Sequence, residues 1–260
     1  MCDLEGKWFP KVIDKDKRFL LFRTYERANW LIFQDAYPQL LLYHYSTKKN
    51  APMFHLLKYF GVSNFMEKEW EYFWSSGDKE RLLISLIINE QNVIQKPVIK
   101  NPLYKRRIFH SFLFSFQDWF HYSSVLFPTT NGRLYGASVN GFRSVDKRID
   151  LGKRLASILF HKNHYSDIHH FAIKTTHTGS RFDYEQYLNP RPFRTTPVLR
   201  AAFPIITHDI NYGDWSKGTR VKLKWCSPLI QHRHPILITS WFKKKQRSLH
   251  WGISFLSNKV

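Results

Sequence analysis

The chain of 260 residues suffices for one large domain or two small ones, and with 43% hydrophobic residues it can bury a core, which excludes a disordered chain. Its 40 Lys and Arg against 20 Asp and Glu give a net charge of +20, a field that draws anions such as nucleic acid, phosphorylated metabolites or acidic lipid without selecting among them. Two cysteines, Cys2 and Cys226, exclude a disulfide framework and a four-sulfur zinc site.

The opening MCDLEGKWFPKV has no apolar run behind a positive start, so it is not a signal peptide, and no apolar stretch approaches the ~20 residues of a bilayer helix. The expected setting is the cytoplasm. Charge is uneven: residues 1–100 hold 15 basic and 12 acidic side chains, 101–200 hold 15 and 6, and 201–260 hold 10 and 2.

Helix punctuation organises the first two thirds. Asp14 or Asp16 caps a helix predicted to run to about Ala36, where Pro38 bends or ends it, with a turn or short helix following at 40–45. Asp35, just before the bend, reads either as a helix-end partner for an arginine or as one carboxylate of an acid/base pair with Glu90. Pro52 takes a first-turn position and Gly61 a left-handed closing position. Ser63 caps a helix closing near Gly77, and Asp78 caps the next, which contains LLISLIINEQNVI.

That helix is apolar all round over residues 82–88, yet Asn89, Glu90, Gln91 and Asn92 follow directly. Polar groups entering a core need partners, so Glu90 requires one, with Arg27 or Arg181 as candidates, or else it sits at a cleft. Asn101 and Pro102 open a long helix through Phe109, Phe112, Leu113, Phe116 and Phe120 toward Phe127. Lys105, Arg106 and Arg107 stand in its first turn, where the helix dipole disfavours cations; they are either solvated or a candidate anion-binding group.

Residues 128–141 read as a loop. Ser144 then caps a helix with Val145, Ile149, Leu155, Ile158 and Leu159 on one face and Asp146, Arg148 and Lys153 outside it. His161, His164, His169 and His170 cluster beside Asp167 at a generic spacing that assigns no metal. In HTGSR, Ser180 and Asp183 resemble a capping box. The same turn offers backbone amides at Thr178 and Gly179 beside His177 and Arg181, a candidate anion site. From 190 the prolines and the alternation of Val221, Lys222, Leu223, Lys224 and Trp225 predict an irregular basic tail, partly β or disordered.

Four stretches, ERANWLIFQDAYPQLLLY (26–43), LIINEQNVIQKPVIKNP (86–102), DLGKRLASILF (150–160) and HTGSRFDY (177–184), resemble the YppC-like proteins of bacilli, a family of unknown function (DUF2515). The resemblance covers about residues 1–205 and implies a mostly helical, cytoplasmic protein. It transfers no catalytic residue. Family members carry sequence ahead of the part similar to MCDLEGKW, so it also implies a chain lacking the family's N-terminal part.

The sequence therefore predicts a mainly α fold: a helical domain over 1–189 and a basic tail over 190–260. Two functions compete. One is a binding protein for an anionic partner, nucleic acid among them. The other is an enzyme for a small anionic substrate, in a cleft holding Asp35, Asn89, Glu90, Gln91, His177, Ser180 and Arg181. A shortened, inactive family member is a third reading. No cofactor or metal is called for.

Overall fold

The first helix, α1 (Lys15–Lys49), opens where the Asp14 side chain accepts the Lys17 amide at 2.9 Å and closes at Asn50, whose φ of 51° is left-handed. It runs 35 residues, which is about 52 Å, and it continues through Pro38. This corrects the expected end near Ala36 and the separate turn at 40–45. An interior proline removes one amide donor and crowds the preceding turn, at a cost of about 3 kcal/mol. Here Nε2 of Gln39 donates to the Asp35 carbonyl at 3.0 Å, and core packing on either side of the buried Pro38 holds the helix together. Before the proline, Ala28 and Leu31 pack with Ile94, Val98, Tyr104 and Phe109. After it, Leu42 packs with Phe54, Leu57, Met66, Trp70 and Leu82.

The computed structural model describes residues 2–109, 123–189, 193–209, 213–229 and 236–257. The fold is mainly α-helical. After α1, Gly61 is left-handed as predicted, but Pro52 lies ahead of the 3-10 helix Phe54–Phe60 rather than in its first turn. Helix α2 (Asn64–Ser76) opens on Ser63 and ends at Gly77, and α3 (Lys79–Val93) opens on Asp78, both as predicted. A π-type turn (Gln95–Ile99) follows, then α4 (Pro102–Tyr104), which opens on Asn101 and passes into a second π-type turn, Lys105–Phe109. Of the long helix predicted there, Phe112, Leu113, Phe116 and Phe120 lie outside the described residues.

Phe127 stands in a strand. The stretch expected as a loop is an antiparallel hairpin of β1 (Ser124–Pro128) and β2 (Leu134–Ser138), with Leu126 opposite Gly136. The connection contains Asn131 and Gly132, the latter at φ 78°, a pair suited to a tight turn. Gly136, at φ 149°, would bring a Cβ to 2.0 Å from the Val125 carbonyl oxygen, so only glycine fits. Residues 236–238 add to the other edge of β2, where the Ile238 amide donates to the Leu134 carbonyl at 2.8 Å.

Helix α5 (Val145–Leu159) opens on Ser144 and lays Ile149 and Ala156 against Ile84, Ile87 and Ile88 of α3. Arg148 and Lys153, expected on its outer face, are buried at 2% and 1% exposure. The long face of α5 meets α3 and residues 213–229 together, and both cations find oxygen partners there. Helix α6 (Tyr165–Lys174) supports the hairpin through Ile168, and one-turn helices α7 (Phe182–Glu185) and α8 (Leu199–Ala202) lead to the last helix, α9 (Thr239–Ser257).

The segment after 190 was expected to be irregular, but its described parts are built into the body. Phe203 stacks on Phe22 of α1 at 4.0 Å between centroids, and Trp225 joins the core between α3 and α5. The alternation around Val221 forms a 3-10 turn, Leu223–Cys226, rather than a strand. Among the described residues no helix is long and apolar enough to cross a membrane.

Candidate functional site

The site begins with two tryptophans. An indole N–H can only donate, so each fixes the amide it meets. Trp70 Nε1 donates to Gln39 Oε1 at 2.8 Å, and Trp215 Nε1 donates to Asn89 Oδ1 at 2.7 Å. Ser63 Oγ gives the same Asn89 oxygen a second donor at 2.9 Å. Both amides must then turn their NH2 groups the other way, and both meet Asp35: Gln39 Nε2 donates to its Oδ2 at 2.6 Å and Asn89 Nδ2 at 2.5 Å. Asp35 is thus positioned through one oxygen by α1, α2, α3 and the stretch carrying Trp215. Its Oδ1 accepts nothing from the described residues.

Burial pushes Asp35 up to about 7, against the pull of the two amide donors. Glu90 is also pushed up to about 7, first by burial and then by the charge of Asp35. The Glu90 carboxyl group forms no hydrogen bond or ion pair among the described residues. Neither expected arginine supplies one: Nε of Arg27 is buried without a partner, and Arg181 is engaged elsewhere. Two neighbouring carboxyl groups that change protonation near neutrality are suited to proton transfer.

Asp35 lines a cleft of about 660 Å³. Lys96 and Lys100 enter it from the turn after α3, and Lys217, Arg220 and Lys222 from the facing stretch 213–222. That stretch is fastened at both ends. Asp214 accepts from the Ser216 amide and hydroxyl at 2.9 and 2.6 Å and from the Asn64 amide at 3.3 Å. Asp146, in the first turn of α5, accepts from Lys222, Lys224 and Trp225 Nε1, and these donors hold its carboxyl at about 2. Lys96, Lys100, Lys217 and Arg220 form no ion pair among the described residues.

Behind the cleft, Arg148 anchors the end of α3. It donates to Gln91 Oε1 at 3.0 Å, the Gln91 carbonyl at 2.9 Å, Gln95 Oε1 at 2.5 Å and the Phe142 carbonyl at 2.7 Å. Burial without a carboxylate partner draws it down to about 10. Lys153 Nζ donates to the Ser227 carbonyl and hydroxyl at 2.7 and 2.9 Å and pins the turn beyond Trp225.

The structure brings Asp35, Asn89 and Glu90 together and gives Gln91 to Arg148. It places the HTGSR segment in a different neighbourhood, since none of its residues lines the cleft. The amides of Thr178 and Gly179, expected to be open to an anion, are taken by the Asp183 carboxylate at 2.7 and 2.9 Å, and Thr178 Oγ1 donates to it at 2.6 Å. Ser180 Oγ donates to the Thr196 carbonyl at 2.9 Å. His177 Nε2 meets the Ala172 carbonyl at 2.8 Å and therefore carries the proton there. Arg181 pairs with Asp3 and Glu185 and donates to Gln246 at 2.9 Å, tying residues near both ends of the chain together. Lys105, Arg106 and Arg107 are exposed and also outside the cleft. His161 and His164 stack on one another, and His164 on Tyr135.

The fold and this site define a class: a mainly α-helical protein with a paired acidic centre beside a basic cleft. The chain belongs to the family described as protein of unknown function (DUF2515), whose profile matches residues 1–241. The match passes the expected limit near 205 and so includes the stretch that walls the cleft. The chain is 44% identical over 252 residues to Uncharacterized protein YppC of Bacillus subtilis (strain 168), an alignment spanning 96% of this chain and 78% of that protein. No solved structure matches it.

Proposed function

We propose that the protein binds a small anionic ligand in the cleft beside Asp35. The observation that carries this is the gathering of Lys96, Lys100, Lys217 and Arg220 around one cavity with no acidic side chain paired to any of them among the described residues. Like charges held in a shared concavity repel, and an anion relieves that repulsion. The same field supports a nucleic-acid partner only as attraction. The exposed free thiol of Cys226 fits the reducing, cytoplasmic setting proposed for it.

Calorimetric titration with inorganic pyrophosphate is the direct check. Binding is expected at low salt, weakening as salt rises, and Lys96→Gln combined with Arg220→Gln is expected to lower affinity by about tenfold. Failure of pyrophosphate and of every other small phosphate compound to bind even at low salt removes the proposal.

A second reading, an enzyme working by acid/base chemistry, is favoured by the uncommitted Oδ1 of Asp35 beside Glu90. It requires turnover whose pH profile bends near 7 and shifts when Glu90→Gln removes the neighbouring charge.

A further inference from the structure

The cleft is not uniformly basic, and the arrangement of its walls restricts what anion it takes. Lys222 is paired with Asp146, and the cleft's remaining cations, Lys96, Lys100, Lys217 and Arg220, belong to exposed residues at the rim. Aromatic side chains also line the cleft: Phe60 remains 45% exposed, and Trp215 is held in place by its bond to Asn89 and a tilted contact with Phe65 at 5.4 Å. Asp35 contributes a carboxyl group whose Oδ1 is uncommitted among the described residues.

A bare polyphosphate satisfies the rim, but it leaves the aromatic walls wet and sets its charge against a carboxyl group that accepts hydrogen bonds when ionised. A ligand with two unlike ends fits better. We infer that the cleft takes a mononucleotide, its phosphate on the lysines and arginine of the rim and its base between Phe60 and Trp215, with a base N–H donated to Asp35. This rests on the anionic-ligand reading and sharpens it.

Three features support the assignment. An aromatic face is complementary to any base, and such stacking contributes to affinity without demanding one sequence. A carboxylate oxygen is the natural acceptor for an exocyclic amino group or ring N–H, the pairing by which acidic side chains recognise cytosine. The cavity of about 660 Å³ lies within the roughly 300–1,000 Å³ typical of single small-molecule sites.

The test compares AMP, GMP and CMP with ribose 5-phosphate, inorganic pyrophosphate and a short single-stranded oligonucleotide, each titrated calorimetrically into the full chain. A nucleotide is expected to bind about tenfold or more tightly than ribose 5-phosphate. Phe60→Ala, an exposed position, is expected to abolish that preference while leaving pyrophosphate affinity unchanged, and Asp35→Asn to change the ranking among bases. Ribose 5-phosphate or pyrophosphate binding as tightly as every nucleotide overturns the inference and leaves the anionic site standing. Failure of every probe overturns both. An oligonucleotide that binds more tightly than any mononucleotide, with a salt slope of several charges, also overturns it and points to single-stranded nucleic acid.

Discussion

Asp35 is a carboxyl group positioned through one oxygen and uncommitted at the other, and its environment makes a definite claim about pH. A carboxyl held above its unfolded value takes up a proton more readily in the fold, so the stability it lends is complete below about pH 4 and is lost as pH rises through about 7. Glu90 acts in the same direction over the same window. Thermal melting across that range should show stability falling as pH rises, then levelling off. In Asp35→Asn the side-chain oxygen still accepts from Gln39 and Asn89, but no charge forms. The variant should be more stable than the wild type above pH 7, by roughly 1–3 kcal/mol, and so melt higher, with a flatter pH dependence. An unchanged slope would mean that Asp35 ionises freely. That Glu90 stands out was legible in the sequence, because an apolar helix that turns polar at Asn89 and Glu90 must find partners, whereas Asp35 read either as a helix-end partner for an arginine or as one of an acid/base pair. Their setting was not: Gln39, Trp70 and Trp215 have no special spacing, and only packing brings their N–H groups to bear on one carboxyl group.

Among the elements, α3 and α5 cross closely because of one glycine. A Cβ on Gly152 would lie 2.6 Å from Cγ2 of Ile87, a branched side chain with little freedom to withdraw. Alanine is the better helix former by about 1 kcal/mol, yet Gly152→Ala should destabilise the protein by about 1–3 kcal/mol through overpacking. Chemical denaturation measures it, and a neutral or stabilising result would show that the helices can separate at no cost. Local rules explain which elements were foreseeable. Caps at Asp14, Ser63, Asp78, Asn101 and Ser144 act through the nearest few residues and were readable directly. The continuity of α1 through Pro38 depends on two core clusters assembled from distant segments, which no local signal reports. Hydrophobic periodicity also gave the wrong side for Arg148 and Lys153, since it ranks charge as exposed and cannot anticipate carbonyls arriving from Gln91, Phe142 and Ser227. In the hairpin the signal was present: Asn131-Gly132 between runs rich in Val, Leu, Phe and Tyr.

At the scale of the whole molecule, residues of the stretch 213–225 wall the cleft. Trp225→Ala should cost about 3–5 kcal/mol, because the indole fills space between α3 and α5 and donates to Asp146. Leu223→Ser, at a side chain 92% exposed in the same turn, should stay within about 0.5 kcal/mol of the wild type. Equal, small effects from both would mark the turn as an appendage. Helix α1 joins two of the core clusters, and its proline lies between them. In amide hydrogen exchange this predicts two rates along one continuous helix: residues before Pro38 should open with the segment around Ile94–Phe109 and those after it with α2 and the start of α3, as separate cooperative units. Asp35 sits at the seam between them, where a bound ligand would slow exchange on both sides at once.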